Sequence, residues 1–397
     1  MRLKSLLIVI GGLMLVLTAC SGDEEEAAPA APTQVSAPVA AAPAPTAVPT
    51  TPPAAPTAEP TQVPASPTAA PPPATATPMP TATATPTPNP FASVDGIVDP
   101  DNHGWPREVE GLNGRVTIDA KPARIHTVSL GHDEMTYALV PAERVVAVGK
   151  FTQNPVYSNV AALAKEVPGI SRDAEQIVSH DPDIVMASPF AKAELLEALG
   201  NVGITVVQTQ LHNDPEGRIL DILFLGYVYG EEERALELVE EVRGRFDELK
   251  ALTDAKPEAS QLRVMSLTSY SDKLYTAGSG STEGSIIQGA GGINVAAEAG
   301  IERNKTTSLE GVISMQPDLV ILPQPADSGG DEFRDRLLND PALAEVPAIR
   351  DGRVYLVPPK FFTTLSFWNI RGAEELAKLL WPDDLGDTEF ASFSFPE

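Results

Sequence analysis

Thiols, aromatic rings and basic residues are all in short supply in this chain. Its 397 residues include one cysteine, at position 20, and aromatic residues make up 6%. A single thiol excludes an internal disulfide and a thiolate metal cluster. Histidine is scarce too, with 5 residues, and no two stand at i and i+4 as a helical zinc motif needs. Gly278-Ser279-Gly280-Ser281-Thr282 is glycine-rich but lacks the following Gly-Lys that would bind a nucleotide phosphate. It reads as a strand-to-helix loop. No serine occupies a nucleophile elbow. These absences speak against an enzyme. Lys and Arg number 28 against 54 Asp and Glu, a formal net charge of -26. That balance argues strongly against nucleic acid as a partner, because phosphate binding needs a basic surface.

What is plentiful is proline, and about half of the 39 fall between residues 21 and 90. That segment opens on Asp23-Glu24-Glu25-Glu26 and continues as Ala, Pro and Thr. It cannot bury enough apolar surface to offset chain entropy, so residues 21–90 are expected to be a disordered spacer. Ahead of it, Arg2 and Lys4 precede the apolar stretch Leu6 to Leu17, which ends in Leu17-Thr18-Ala19-Cys20. This fits a secretory signal over residues 1–20. The boundary cysteine resembles the lipobox of bacterial lipoproteins, which implies lipid on Cys20 and tethering to the outer face of the cytoplasmic membrane.

The remaining 91–397 contain a repeat. Glu175-Gln176-Ile177-Val178-Ser179-His180-Asp181-Pro182-Asp183-Ile184-Val185 is matched by Glu310-Gly311-Val312-Ile313-Ser314-Met315-Gln316-Pro317-Asp318-Leu319-Val320. Each copy predicts a short amphipathic helix, a proline stop and a buried strand. Two copies this far apart predict two related α/β lobes with a ligand cleft between them. Around them strands alternate with helices, the strands opening at Arg124, Val145, Ile184, Ile204, Arg263 and Val354. That alternation predicts mainly parallel sheets. Arg107 to Ile118 reads as a hairpin turning at Asn113-Gly114. Asp133 reads as the cap of a helix over Glu134 to Leu139. From Glu231 to Leu252, Leu238, Val242, Phe246 and Leu249 recur at helical spacing, with Glu233, Glu237, Glu241 and Arg245 elsewhere. The expected division is an N-terminal lobe over 91–215, a bridging helical segment over 216–255 and a C-terminal lobe over 256–397.

In order and spacing, Lys121-Pro122-Ala123-Arg124-Ile125, the paired arms, Gly291-Gly292-Ile293-Asn294 and the bridging helix resemble one family. It is the ABC-importer substrate-binding proteins for ferric siderophores, haem and cobalamin. The resemblance covers about Glu108 to Trp381. It implies a ligand clamped between two lobes on one rigid helix, no catalysis and no cofactor. It also implies delivery to a permease dimer with its ATPase, with Glu175 and Glu310 on the lobe tips docking to that permease. The protein is expected to act as a monomer.

Ligands of open α/β sheets bind at the carboxyl ends of strands. In the first lobe those ends offer Ser129, His132, Phe151, Tyr157, Arg172 and Phe190. In the second they offer Tyr270, Lys273, Tyr275, Asn304, Lys305, Lys360, Phe361, Phe362 and Trp368. The rings suit a large, flat or partly apolar ligand, and the basic groups an anionic chelate. A ferric siderophore leads, with a corrinoid and then haem as alternatives. Two other classes remain open. A bare metal-ion carrier would use His132, although one histidine falls short of the ligands an ion requires. A stalked adhesion or scaffold protein would have no concave site.

Overall fold

The computed structural model describes residues 89–170 and 172–396. The signal segment, Cys20 and all but the last two residues of the expected spacer lie outside the described residues. Asn89 and Pro90 already belong to folded structure. The Asn89 side chain accepts a hydrogen bond from the Phe91 N–H at 3.0 Å, and Phe91 is buried.

The first lobe opens with β1 (Arg107–Gly111) and β2 (Gly114–Ile118), paired antiparallel. Gly114 takes the positive φ of +94° that the tight turn requires. The turn is held to the lobe by Asn113, which donates to the Val206 carbonyl at 2.9 Å and accepts from the Gln208 N–H at 2.9 Å. Then come β3 (Ile125–Thr127), α1 (Leu130–Leu139), β4 (Val145–Gly149), β5 (Gly169–Ile170), α2 (Ala174–Ser179), β6 (Ile184–Ala187), α3 (Ala193–Asn201) and β7 (Thr205–Gln208). The sheet order is β5-β4-β3-β6-β7, every pair parallel. β4 and β6 are strongly apolar, as expected when both faces are covered, and between them β3 buries His126 and Thr127 beside Ile125.

Two helices follow. α4 (Pro215–Tyr229) starts at the Asp214 cap, whose side chain accepts the Gly217 N–H at 2.9 Å. It ends at Gly230 in the left-handed region, which turns the chain into α5 (Glu232–Asp254). The 23 residues of α5 span roughly 35 Å. Ala235, Leu238, Val239, Val242 and Leu249 are its buried face, and Phe246 is partly buried beside them.

The second lobe comprises β8 (Arg263–Tyr270), β9 (Lys273–Ala277), α6 (Thr282–Gly289), β10 (Ile293–Asn294), α7 (Val295–Glu298), β11 (Asn304–Thr307), α8 (Leu309–Met315), β12 (Leu319–Leu322), α9 (Gly330–Leu338), α10 (Pro347–Arg350), β13 (Val354–Leu356), α11 (Pro359–Phe362) and α12 (Asn369–Leu380). Its sheet runs β11-β9-β8-β12-β13, with β10 parallel to β8. β8, β12 and β13 are parallel, whereas β9 and β11 are antiparallel additions.

The fold is thus α/β, two lobes with mainly parallel sheets bridged by one long helix. A single buried cluster runs through both lobes. Ile125, Met135 and Leu139 share it with the α5 face and with Ile286, Leu376 and Leu380. The outer side of each sheet has a smaller cluster of its own. Arg245 is not a solvent-facing residue of α5. Its side chain is largely buried against Glu374 of α12, with Nε–O 2.9 Å and an Nη–O distance of 2.6 Å.

Candidate functional site

A cavity at the first lobe's sheet has a volume of about 540 Å³, inside the roughly 300–1,000 Å³ range of small-molecule sites. All five parallel strands of the first lobe contribute to it from their carboxyl ends. β3 gives Val128 to Gly131, β4 gives Gly149 to Phe151, and β5 gives Ile170 and Arg172. β6 gives Ser188 and Phe190, and β7 gives Leu211. The second lobe closes one side with Thr363, Thr364 and Leu365, between α11 and α12.

The chemistry of this lining is mixed. Phe151 and Phe190 are 61% and 66% exposed, so two large rings stand uncovered at one site. Phe151 meets Tyr157 edge to face at a centroid distance of 6.2 Å. Lys150 and Arg172 are exposed cations in the lining, and Arg172 also donates to the Phe190 carbonyl at 3.2 Å. The amino end of α1 faces the cavity through Ser129, Leu130 and Gly131. A helix leaves its first-turn N–H groups unpaired and partially positive, which favours anions. Rings to stack on, cations at the rim and a helix amino end together suit a large anionic ligand.

Behind the lining lies a layer of buried charge. Asp133 and Glu134 are fully buried on α1, and Arg218 is fully buried on α4. Desolvation raises Asp133 to about 7, against hydrogen bonds from Thr127, Thr152 and Gly149. Glu134 is raised for the same reason. Desolvation lowers Arg218 to about 10, opposed by Asp221, Asp214 and Glu134. His212 pairs with Asp221 at 2.7 Å, and that bond raises its pKa.

Several expected site residues lie elsewhere. His132 is fully buried rather than in the cleft. Its Nδ1 lies 3.0 Å from the Ser129 hydroxyl, and burial followed by the Arg218 charge lowers its pKa to about 3. Asp133 is not the cap of α1. Ser129 is, four residues earlier, which places Asp133 inside the helix. Phe362 and Trp368 are core residues at 0% and 8% exposure, Trp368 stacking with Phe361, Phe367 and Phe395. Lys360 lies over the Phe361 ring at 5.0 Å. Tyr270, Lys273, Tyr275, Asn304 and Lys305 stand on β8, β9 and β11, not on strand-to-helix loops. Ser271 and Asp272 both adopt positive φ, which folds β9 straight back on β8. None of these five, nor Lys360, Phe361 or Tyr157, lines the cavity, while Ser129, Phe151, Arg172 and Phe190 do. Sequence reasoning missed Lys150, Leu211 and Thr363 to Leu365. Lys150 carried a usable signal, since it directly follows an apolar strand. Among the described residues no group of three or more His, Cys, Asp or Glu is placed to hold a metal ion, and no helix is long and apolar enough to cross a membrane.

Residues 125–361 match the periplasmic binding protein family. That is more than half of the chain, and the chain belongs to this family. The uncharacterized ABC transporter substrate-binding lipoprotein YvrC of Bacillus subtilis is 27% identical over 279 residues, covering 69% of this chain and 85% of that one. A cobalamin-binding protein of Halobacterium salinarum is 28% identical over 226 residues, 55% of this chain and 59% of that one. Among solved structures, the apo periplasmic heme-binding protein RhuT of Roseiflexus sp. RS-1 has a TM-score of 0.58 at 26% identity, covering 65% of this chain and 98% of that one. The protein is accordingly a substrate-binding component of an ABC importer, working outside the cytoplasm.

Proposed function

We propose that this protein captures an anionic iron chelate, a ferric siderophore, and hands it to its permease. The observation that carries this reading is the pairing of exposed Phe151 and Phe190 with Lys150 and Arg172 around one cavity. Flat, partly apolar chelates stack on rings, and their acidic groups make charge-assisted bonds to cations. Among the described lining residues there is no imidazole, phenol or thioether. Haem bound as a monomer takes an axial ligand of that kind. A siderophore brings its metal already coordinated, which favours it here. A corrinoid is the second reading, supported by the cobalamin-binding relative. The lipobox at Cys20 and the spacer support a lipid-anchored receptor, acting as a monomer, on the outer face of the cytoplasmic membrane.

Glu175 and Glu310 take matching places in α2 and α8. Each is exposed, second in its helix, and follows a capping side chain from Asp173 or Ser308. Two carboxylates on two lobes suit docking to a permease dimer. Exposed pairs of this kind contribute about 0–1 kcal/mol each, so they set orientation more than affinity. Replacing both by Arg should leave ligand affinity unchanged and slow transport. Uptake at the wild-type rate would remove the docking role.

Native mass spectrometry of protein purified from its own host tests the ligand reading. The expected result is a co-purified iron complex at one per chain. A cobalt complex would transfer the role to a corrinoid, and a bare ion would contradict both.

A further inference from the structure

Asp133 and Glu134 are consecutive, fully buried and outside the cavity lining. Neighbouring residues on a helix point about 100° apart, and these two carboxylates serve different walls. One oxygen of Asp133 accepts from the Gly149 N–H at 2.9 Å and the Thr152 hydroxyl at 2.6 Å. The other accepts from the Thr127 hydroxyl. Gly149 and Thr152 bracket Lys150 and Phe151, the cation and ring that β4 presents to the cavity. Glu134 reaches further. One of its oxygens accepts from both the N–H and the side-chain amide of Asn159, each at 2.8 Å. The other accepts from the hydroxyls of Thr364 and Ser366 in the second lobe, each at 2.5 Å. Asn159 also crosses over, donating to the Lys360 carbonyl at 2.8 Å. Thr364 lines the same cavity.

Burying two carboxylates side by side is costly, and apolar residues of similar volume would serve stability as well or better. What apolar residues could not supply is seven directed hydrogen bonds between α1 and two separate rims. We propose that Asp133 and Glu134 are the positioning residues of the ligand cavity. Asp133 fixes the loop that carries Lys150 and Phe151, and Glu134 locks the far end of that loop to Thr364 of the facing lobe. The walls are then assembled before ligand enters, which lowers the ordering cost of binding. This rests on the reading of the cavity as the ligand site.

Hydrogen exchange of the ligand-free, full-length protein tests it without any ligand. The variants are Asp133→Ala, Asp133→Asn, Glu134→Ala and Thr152→Val, the last nearly isosteric. Amides over Gly149 to Asn154 should exchange at least 10-fold faster in Asp133→Ala and Thr152→Val, while β6 amides keep their wild-type rate. Asp133→Asn retains an acceptor oxygen and should restore most of the protection. Glu134→Ala should release Asn159 and the segment Thr364 to Ser366 and leave Gly149 protected. Unchanged loop exchange in Thr152→Val, or a uniform rise that includes β6 in every variant, would overturn the proposal. A parallel titration uses an anionic ferric tris-catecholate chelate as probe. Thr152→Val should bind it at least 10-fold more weakly than wild type. Equal binding by both would also overturn the positioning role. A wild-type protein that ignores the probe would count against the siderophore reading alone, and the exchange data would still decide the positioning role.

Discussion

Gly131 at the start of α1 stands so close to Leu365 of the other lobe that a Cβ would lie 2.6 Å from the Leu365 carbonyl oxygen. The obstacle is backbone, so no side-chain rotation relieves it. Both residues line the cavity, and their contact fixes how near the lobes come at its base. Gly131→Ala should force the Thr363 to Leu365 wall outward and destabilise the protein by about 1–3 kcal/mol, as overpacking does. Urea unfolding measures the stability loss. A variant as stable as wild type would show that the lobes slide freely at this point.

Arg245 and Glu374 tie α5 to α12 with side chains only 10% and 2% exposed. Arg245 also lies over the Phe393 ring at 4.0 Å. Arg245→Ala leaves Glu374 with Arg371 at 3.3 Å as its remaining cation. Stranding a buried charge costs roughly 3–5 kcal/mol, and Arg371 should hold this case near the lower figure. Replacing the pair together, Arg245→Met with Glu374→Leu, should recover most of the loss. Denaturant midpoints of wild type and the two variants decide it. Equal losses in the single and double variants would mean that packing, not charge, joins these helices.

Phe151 and Phe190 separate binding from stability. Their exposed rings contribute little to the core, so Phe151→Ala or Phe190→Ala should shift unfolding by less than about 0.5 kcal/mol. Each should weaken capture of the host-purified ligand about tenfold, or about 1.4 kcal/mol. Arg172→Glu should weaken it further by reversing a rim charge. Calorimetric titration alongside thermal unfolding gives both readouts, and affinity untouched by all three changes would place the ligand elsewhere.

Asp133 predicts a pH signature. Burial raises its folded pKa to about 7 from 3.8. Between those values the native state holds a proton that the unfolded chain has lost, so this group's contribution to stability falls as pH rises through the window. From pH 5 to 8 the loss is on the order of 2 kcal/mol. Glu134, the acidic neighbour on α1, acts in the same direction and remains in the variant. Tyr137 and Tyr229, which also face Asp133, are raised further from the window. Asp133→Asn removes the Asp133 slope. Its stability relative to wild type should therefore improve by that amount between pH 5 and 8, measured by urea unfolding. A difference independent of pH would contradict a raised pKa.

The repeat was legible because every part of it is local. Apolar spacing, proline stop and strand all lie within eleven residues, and both copies fold accordingly as α2–β6 and α8–β12. The structure adds what a local pattern does not carry. Asp181 and Gln316, just before the prolines, both take positive φ, at 49° and 47°. Asp183 and Asp318 both accept the backbone N–H of an arginine at the head of a neighbouring strand. Those arginines are Arg124 and Arg263.

For the cavity, the rule that ligands sit at carboxyl ends of parallel strands points to Ser129, Phe151, Arg172 and Phe190, which line it. In the second lobe the residues the rule named lie outside that cavity: Tyr270, Lys273, Tyr275, Asn304 and Lys305 stand on β8, β9 and β11, where β9 pairs antiparallel with both neighbours. Thr363 to Leu365 carry no charge or ring to mark them. Asp133 and Glu134 were readable as acids near a helix start, which is where helices commonly place them at the surface. Only the packing of two lobes over α1 reveals that both are buried.

Anomalous diffraction at the iron edge, from crystals of protein loaded by its own host, locates the captured metal. One iron site is expected inside the cavity, flanked by Phe151, Phe190 and Thr364, with every ligand to the metal supplied by the chelate. Iron coordinated by protein side chains, or no metal in this cavity, would contradict the siderophore reading.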